Sequence, residues 1–351
     1  MNSKFKKPYK LNNGDKVATV SPSWGGPSVF PHRYQAGVHQ LEAEFGLEIV
    51  EMPHTLKDAD WLARNPEARA ADLMQAFSDP TIKGIIATIG GSDSIRLLPY
   101  IDLNVIYNNP KVFMGFSDTT VSHMMCFKAG LVSFYGPSIM AGLAENGGLF
   151  SYMTKSVRKT LFQSDPVGVI EPNTDGWTVE ILEWGEPANQ EKKRALNPCT
   201  GRKYLQGEGI RQGHLLGGCI EVFDWLRGTE LWPSIEQWQD AILFLETSEE
   251  APSPRNVKYM LRALAALGAL KRLSGILFGR PGGGVPPEQF EEYDQVLLQV
   301  VRDEEGLDDL PIITNMDFGH TDPVFVLPYG LMAEIDCEKK QLSILENAVT
   351  D

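Results

Sequence analysis

Two continuous apolar runs constrain this chain more than anything else in it: Gly84–Ile89 (GIIATI) and Ala241–Leu245 (AILFL). Neither alternates as a half-exposed strand does, and both are bounded by turn residues at strand-like length. Runs of this kind belong to strands covered on both faces, which means a parallel sheet layered with helices. The flanking segments keep the matching rhythm. Lys16–Ser21, Leu47–Val50, Lys111–Phe116 and Leu131–Tyr135 read as further strands of the first half. Helical patterns fall over His32–Phe45, from Pro66 to Ser78 behind an Asn65 cap, from about Ser92, and over Asp118–Ala129.

The second half repeats the alternation after an interruption. From about Gly147 to Gly217 the chain holds Asn-Pro, Thr-Gly and Asp-Gly turn signals and the charged run Glu191–Arg194. Helices are then expected over Gly218–Arg227, Pro254–Leu267 and Glu288–Arg302, and strands over Leu273–Phe278 and Ile312–Met316. Leu331–Ile335 and Gln341–Leu345 read as a closing hairpin. The expected fold class is α/β, with an N-terminal parallel-sheet layered domain over residues 1–165. A linker and substrate-loop region follows over 166–217, then a C-terminal α/β domain with β-rich portions over 218–351.

Charge narrows the partners. The chain carries 32 Lys+Arg against 46 Asp+Glu, a net −14. A nucleic-acid polymer or an anionic membrane surface needs a basic face, so both are disfavoured and a small-molecule partner is expected. No apolar run reaches the length of a membrane span. The basic stretch Met1–Lys10, with Lys4, Lys6, Lys7 and Lys10, lacks the apolar centre of a signal peptide, which points to the cytoplasm. Cys126, Cys199, Cys219 and Cys337 are scattered, as free thiols in a reducing compartment are. No metal-binding spacing occurs, and Gly282–Gly284 lacks the Lys-Ser/Thr of a phosphate loop, so no cofactor is expected.

Ligands of open α/β sheets gather past the carboxyl ends of the strands. The polar residues there are Gly90-Gly91-Ser92-Asp93, Ser117-Asp118-Thr119-Thr120, Glu246-Thr247-Ser248 and Asp317-Phe318-Gly319-His320. Together they contain a serine on a strand-to-helix turn, a glutamate, a histidine and a glycine pair, the parts of an acyl-transfer site. Each has a plainer use. Gly115-Phe-Ser-Asp-Thr119 departs from G-x-S-x-G at its last position, and Ser117 or Asp118 would serve equally as a helix cap. Gly90-Gly91 would serve as a turn, Glu246 as a solvated acidic turn, and His320 as a surface histidine. His123 falls within an apolar helix and reads as a packing residue.

In order and placement, Thr88-Ile-Gly-Gly91, Gly115-Phe-Ser-Asp-Thr-Thr120, Leu243-Phe-Leu-Glu246, Gly279-Arg280 and Asp317-Phe-Gly-His320 resemble one family. It is the serine peptidase family of LD-carboxypeptidases and microcin C self-immunity peptidases. The resemblance implies a metal-free Ser-Glu-His triad: Ser117 as nucleophile, His320 as base, Glu246 as its orienting acid. Backbone N–H groups of Gly91 and Asp118 would hold the oxyanion, with Gly90 beside the substrate. It also implies a homodimer. Leu245–Glu250, Gly319–Pro323 and the Trp-bearing middle segment look more like the immunity branch, which cleaves an aminoacyl group from a nucleotide phosphate. On that likeness Trp184, then Trp177, would stack on the base, and Arg255 or Lys258 would meet a phosphate. Packing at the domain join is an equal use for both tryptophans, and an exposed helix face for both cations. Two alternatives stand beside this one: removal of the terminal D-Ala from a muropeptide tetrapeptide, and non-catalytic small-molecule binding in a two-domain cleft.

Overall fold

In the computed structural model, which describes residues 5–351, the strands sort into two sheets. Residues 1–4, Lys4 included, lie outside the described residues. The first sheet holds β1 (Lys16–Val20), β2 (Glu48–Glu51), β3 (Ile82–Ala87), β4 (Val112–Gly115) and β5 (Phe134–Tyr135). The second holds β6 (Pro166–Val169), β7 (Lys203–Gln206), β8 (Ile210–Cys219), β9 (Ala241–Glu246), β10 (Gly275–Gly279) and β11 (Ile312–Met316). Then β12 (Leu327–Pro328) returns to the first sheet, and β13 (Met332–Asp336) and β14 (Gln341–Asn347) complete the second.

The first sheet has the order β2-β1-β3-β4-β5-β12 and is parallel except for β12. In the second, β8, β9, β10 and β11 form a parallel centre, with antiparallel β7 on one side and β13, β14 and β6 on the other. The two apolar runs behave as their composition demands. Ile85 and Ile86 of β3, and Ile242, Leu243, Phe244 and Leu245 of β9, are all 0–1% exposed. Each such side chain contributes about 1.5–3 kcal/mol of transfer free energy. Register then places the functional ends: Gly115 pairs with Tyr135, and Cys219 pairs with Glu246.

Several expectations need correction. The segment expected as a helix from Gly218 continues β8 to Cys219, and the helix is only Ile220–Trp225. Gly213, Gly217 and Gly218 remove the side-chain alternation that would have marked this ten-residue strand. The helix expected from Ser92 is a 3-10 segment, Ser94–Tyr100, with Pro99 inside it. Asn65 precedes the Pro66–Ser78 helix but its side chain makes no cap hydrogen bond, and its amide nitrogen donates to the Trp61 carbonyl.

Between the sheets lies an aromatic seam. Tyr329 packs 4.8 Å from Phe244 and stacks 4.9 Å from His123, and Tyr135 packs 5.5 Å from Phe244. His123 Nε2 faces the Gly115 carbonyl at 2.9 Å, so it must donate, and Nδ1 then accepts from the Ser133 hydroxyl. Burial lowers His123 to about 3, which keeps it a neutral packing residue. This dry seam holds the end of β4 against the end of β9.

Candidate functional site

The chain leaves β4 at Gly115 and turns through Ser117–Thr119 into the helix Thr120–Ala129. Ser117 has φ 63°, a left-handed conformation that costs a non-glycine residue about 1–3 kcal/mol unless its surroundings impose it. Its N–H donates to the Tyr135 hydroxyl at 3.1 Å. Neither Ser117 nor Asp118 caps the helix. The Asp118 carboxylate instead accepts the N–H groups of Asp93 (3.0 Å) and Ser94 (2.8 Å), and the Ser94 hydroxyl donates to the Asp118 carbonyl. These bonds bind the Gly90-Gly91 loop to the serine turn. A Cβ on Gly90 would lie 2.8 Å from Ser117 Oγ and 3.3 Å from the Asp118 nitrogen, so only glycine allows this approach.

The second sheet brings the acid and the imidazole. β9 ends on Glu246, which is 0% exposed. One carboxylate oxygen contacts His320 Nδ1 at 2.7 Å, and the other accepts the Tyr135 hydroxyl. Tyr135 therefore bridges the Ser117 amide and Glu246. Burial, then the Glu246 charge, holds the Tyr135 phenol well above its ordinary range, so it remains a donor. His320 reaches Glu246 because Gly319 precedes it at φ 96°, where a Cβ would sit 2.6 Å from Glu246 Oε2.

Arg280 explains why its motif matters. Buried at 1% exposure, it donates to Asn315 Oδ1 (3.0 Å), Thr321 Oγ1 (3.2 Å) and Asp317 Oδ1 (2.8 Å). It thus braces the turn that carries His320.

His320 Nε2 pairs with Glu249 Oε2 at 3.0 Å. Nδ1 is hydrogen-bonded to Glu246 and Nε2 lies at ion-pair distance from Glu249, so both carboxylates favour the imidazolium. Burial alone would lower its pKa, but Glu246 and Glu249 outweigh burial and raise it to about 10. The hydrogen bond to His320 in turn lowers Glu249 to about 2.

Ser117 and His320 open on one cavity of about 470 Å³. Gly90, Gly91 and Trp184 share its lining, as do Trp24, Phe116, Arg33, Arg194, Glu249 and Asp322. Trp184 packs edge-on against Phe30 (5.7 Å), with the Arg33 guanidinium 4.1 Å from its ring centroid. The other expected binding residues lie elsewhere. Trp177 is 4% exposed, donates its indole N–H to the Pro198 carbonyl and packs against Arg280 and Phe290, away from the cavity. Arg255 is exposed on the Pro254–Ala266 helix, and Lys258 of that helix is tied to Gln299; neither lines the cavity.

The cations that line the cavity are Arg33 and Arg194, which single-motif reading missed. Arg33 donates to the Met140 carbonyl and to Asn146 Oδ1, and burial lowers it to about 10 despite nearby Glu145. Arg194 pairs with Glu145 and Asp322. Tyr135 and Glu249 were missed as well. Of these four, only Glu249 carried a sequence signal, as part of the acidic turn after Glu246. A larger, more open hollow of about 730 Å³ near Arg211 and Asp309 contains no such set.

Donor atoms of Cys219, Glu246 and His320 lie within 4.8 Å of one another. They would form a metal's ligand set only by giving up the Glu246–His320 bond. Burial, then Glu246, keeps the Cys219 thiol well above its ordinary pKa, a poor state for a metal ligand.

Comparison with known proteins places this arrangement. The LD-carboxypeptidase N-terminal domain model matches residues 17–136, and the C-terminal domain model matches 212–335. A Vibrio cholerae protein classed as a carboxypeptidase is 30% identical over 93% of this chain and 93% of its own. The crystal structure of an MccF-like protein from Streptococcus pneumoniae in complex with AMP superposes with a TM-score of 0.84 at 31% identity. It covers 95% of this chain and 99% of that one. The microcin C7 self-immunity protein in complex with aspartyl sulfamoyl adenosine gives 0.83 at 27% identity, over 98% and 100%. The chain belongs to the LD-carboxypeptidase (peptidase S66) family of serine hydrolases.

Proposed function

We propose that this hydrolase cleaves the bond between an aminoacyl group and a nucleotide phosphate or its sulfamoyl mimic, as a self-immunity or detoxifying activity. Ser117 Oγ attacks the acyl carbonyl carbon and its proton passes to His320 Nε2. Glu246 holds the resulting imidazolium through Nδ1–H. The Gly91 and Asp118 amides take the negative charge on the carbonyl oxygen. His320 then gives its proton to the departing nucleotide group, and water repeats the sequence on the acyl-enzyme.

One observation carries this reading: the strained Ser117 turn and His320, backed by Glu246, open on the same cavity as the Trp184 ring. An indole face suits a base, and a single nucleotide needs only such a surface and a cation or two, which a net charge of −14 does not forbid. Nucleotide-linked ligands in two structural relatives support the same assignment. Arg33 favours one second reading, because a terminal carboxylate would also meet it: release of D-Ala from a muropeptide tetrapeptide.

Ser117→Ala tests the chemistry. With an aminoacyl sulfamoyl adenosine, hydrolysis is expected to fall by at least about 10³-fold. Retention within tenfold of wild type removes Ser117 as nucleophile. Cleavage of the tetrapeptide but not of the nucleoside compound by wild type selects the second reading.

A further inference from the structure

The nitrogen that must receive the Ser117 proton is already taken. His320 Nε2 is paired with Glu249 Oε2 at 3.0 Å, rather than with Ser117. Glu249 belongs to the loop after β9, and its side chain is 64% exposed while that of His320 is 10% exposed. Among the described residues it pairs with no lysine or arginine, whereas the cavity acid Asp322 pairs with Arg194. Its only cationic partner is therefore the catalytic imidazole.

We infer that Glu249 is the recognition residue for the substrate's free ammonium group, and that in the unliganded chain it latches His320 in the protonated, unreactive state until that ammonium replaces it. This rests on the aminoacyl reading above. The α-nitrogen of an aminoacyl group is two bonds from the carbonyl carbon. A carbonyl within reach of Ser117 therefore presents its ammonium beside the His320 ring, where the Glu249 carboxylate lies. The exchange is balanced. Glu249 trades one cation for another, the Nε2 proton leaves to solvent, and His320 keeps Nδ1–H on Glu246 with a lone pair facing Ser117. An acyl group without a positive charge does not release the latch and is a poor substrate.

The surroundings of His320 favour such a device. Glu246 lies beneath it on β9, Cys219 on β8 and Glu249 on the following loop, with the Phe116 ring 5.0 Å away. Cys219 is held as a thiol, so among the described residues Glu249 is the solvent-exposed charge against the ring. The loop is anchored just before Glu249. The Thr247 hydroxyl accepts the Gly282 N–H at 3.1 Å, and Ser248 is held by Glu221.

The test compares wild type with Glu249→Gln and Glu249→Ala on an aminoacyl sulfamoyl adenosine and on the same compound N-acetylated. NMR titration of the His320 ring in the unliganded proteins accompanies it. Wild type should prefer the free amine by at least about tenfold in kcat/KM, the scale of a lost charge-assisted contact. Both variants should fall to within about twofold between the two compounds, and His320 should titrate at lower pH in them. A preference unchanged in the variants overturns amine recognition while the hydrolase reading stands. If wild type cleaves neither compound, the nucleotide reading fails and the latch is judged on His320 alone. A lowered titration then upholds it, and an unchanged one overturns it.

Discussion

Ser117 and His320 face one cavity but are held there by different means. On the first sheet the work is done chiefly by backbone: a serine at φ 63° and a glycine whose missing Cβ lets two strand ends meet, with the Asp118 carboxylate tying two amides. On the second sheet it is done by charge: a buried glutamate, an imidazolium between two carboxylates, and a buried arginine bracing their turn. Backbone placement survives changes of pH. Placement by charge does not, so the second sheet is where activity can be tuned. Tyr135 joins the two, since its hydroxyl accepts the Ser117 amide and donates to Glu246.

Removing the charge from the second sheet, with the shape kept, should have the largest effect. Glu246→Gln leaves the glycine loop untouched but lets His320 take the wrong tautomer. By analogy with other triads, kcat should fall by about 10³–10⁴ with KM little changed. A loss under tenfold would mean that Glu246 does not orient the base.

Next comes the brace. Arg280→Met removes one partner of a pair in which Arg280 is 1% and Asp317 3% exposed, and strands the remaining carboxylate. Such losses run to about 3–5 kcal/mol, to be read by urea unfolding. The double variant Arg280→Met/Asp317→Leu should recover part of that loss. No recovery would assign the role to packing against Trp177 instead.

The same division decides what the sequence could reveal. The runs GIIATI and AILFL foretold both parallel centres, because strands buried on both faces carry unbroken apolar composition. Ser117, Glu246 and His320 stood out because each lies at or just past the end of a strand. β8 was not visible, because three glycines erase its alternation. Arg33, Arg194 and Tyr135 were not visible either, because their value comes from long-range pairing with Asn146, Glu145, Asp322 and Glu246. No local spacing encodes such contacts. Trp177 and Trp184 looked alike in sequence. Only the fold buries one against Arg280 and Phe290 and leaves the other on the cavity wall.

The smallest effect is on stability, and its sign separates the two regions most cleanly. His320 is raised to about 10 in the folded chain, against about 6.5 when unfolded. Its contribution is therefore fully present below pH about 6.5 and is lost as the pH rises toward 10. Glu249 is lowered to about 2, against about 4.3 when unfolded, so its contribution is present above that value and is lost as the pH falls toward 2. The stability difference between wild type and Glu249→Gln should be largest above pH about 4.5, shrink as the pH falls toward 2, and shrink again as the pH rises toward 10, because Glu246 still raises His320 in the variant. It should be modest, because the Glu249 carboxylate is largely exposed and screened by solvent and salt. Ser117→Ala, which alters a group without charge, should give a stability difference that is flat across the same range. Urea unfolding at a series of pH values reads both. A flat curve for Glu249→Gln would leave the two sheets alike and remove charge as what distinguishes the second.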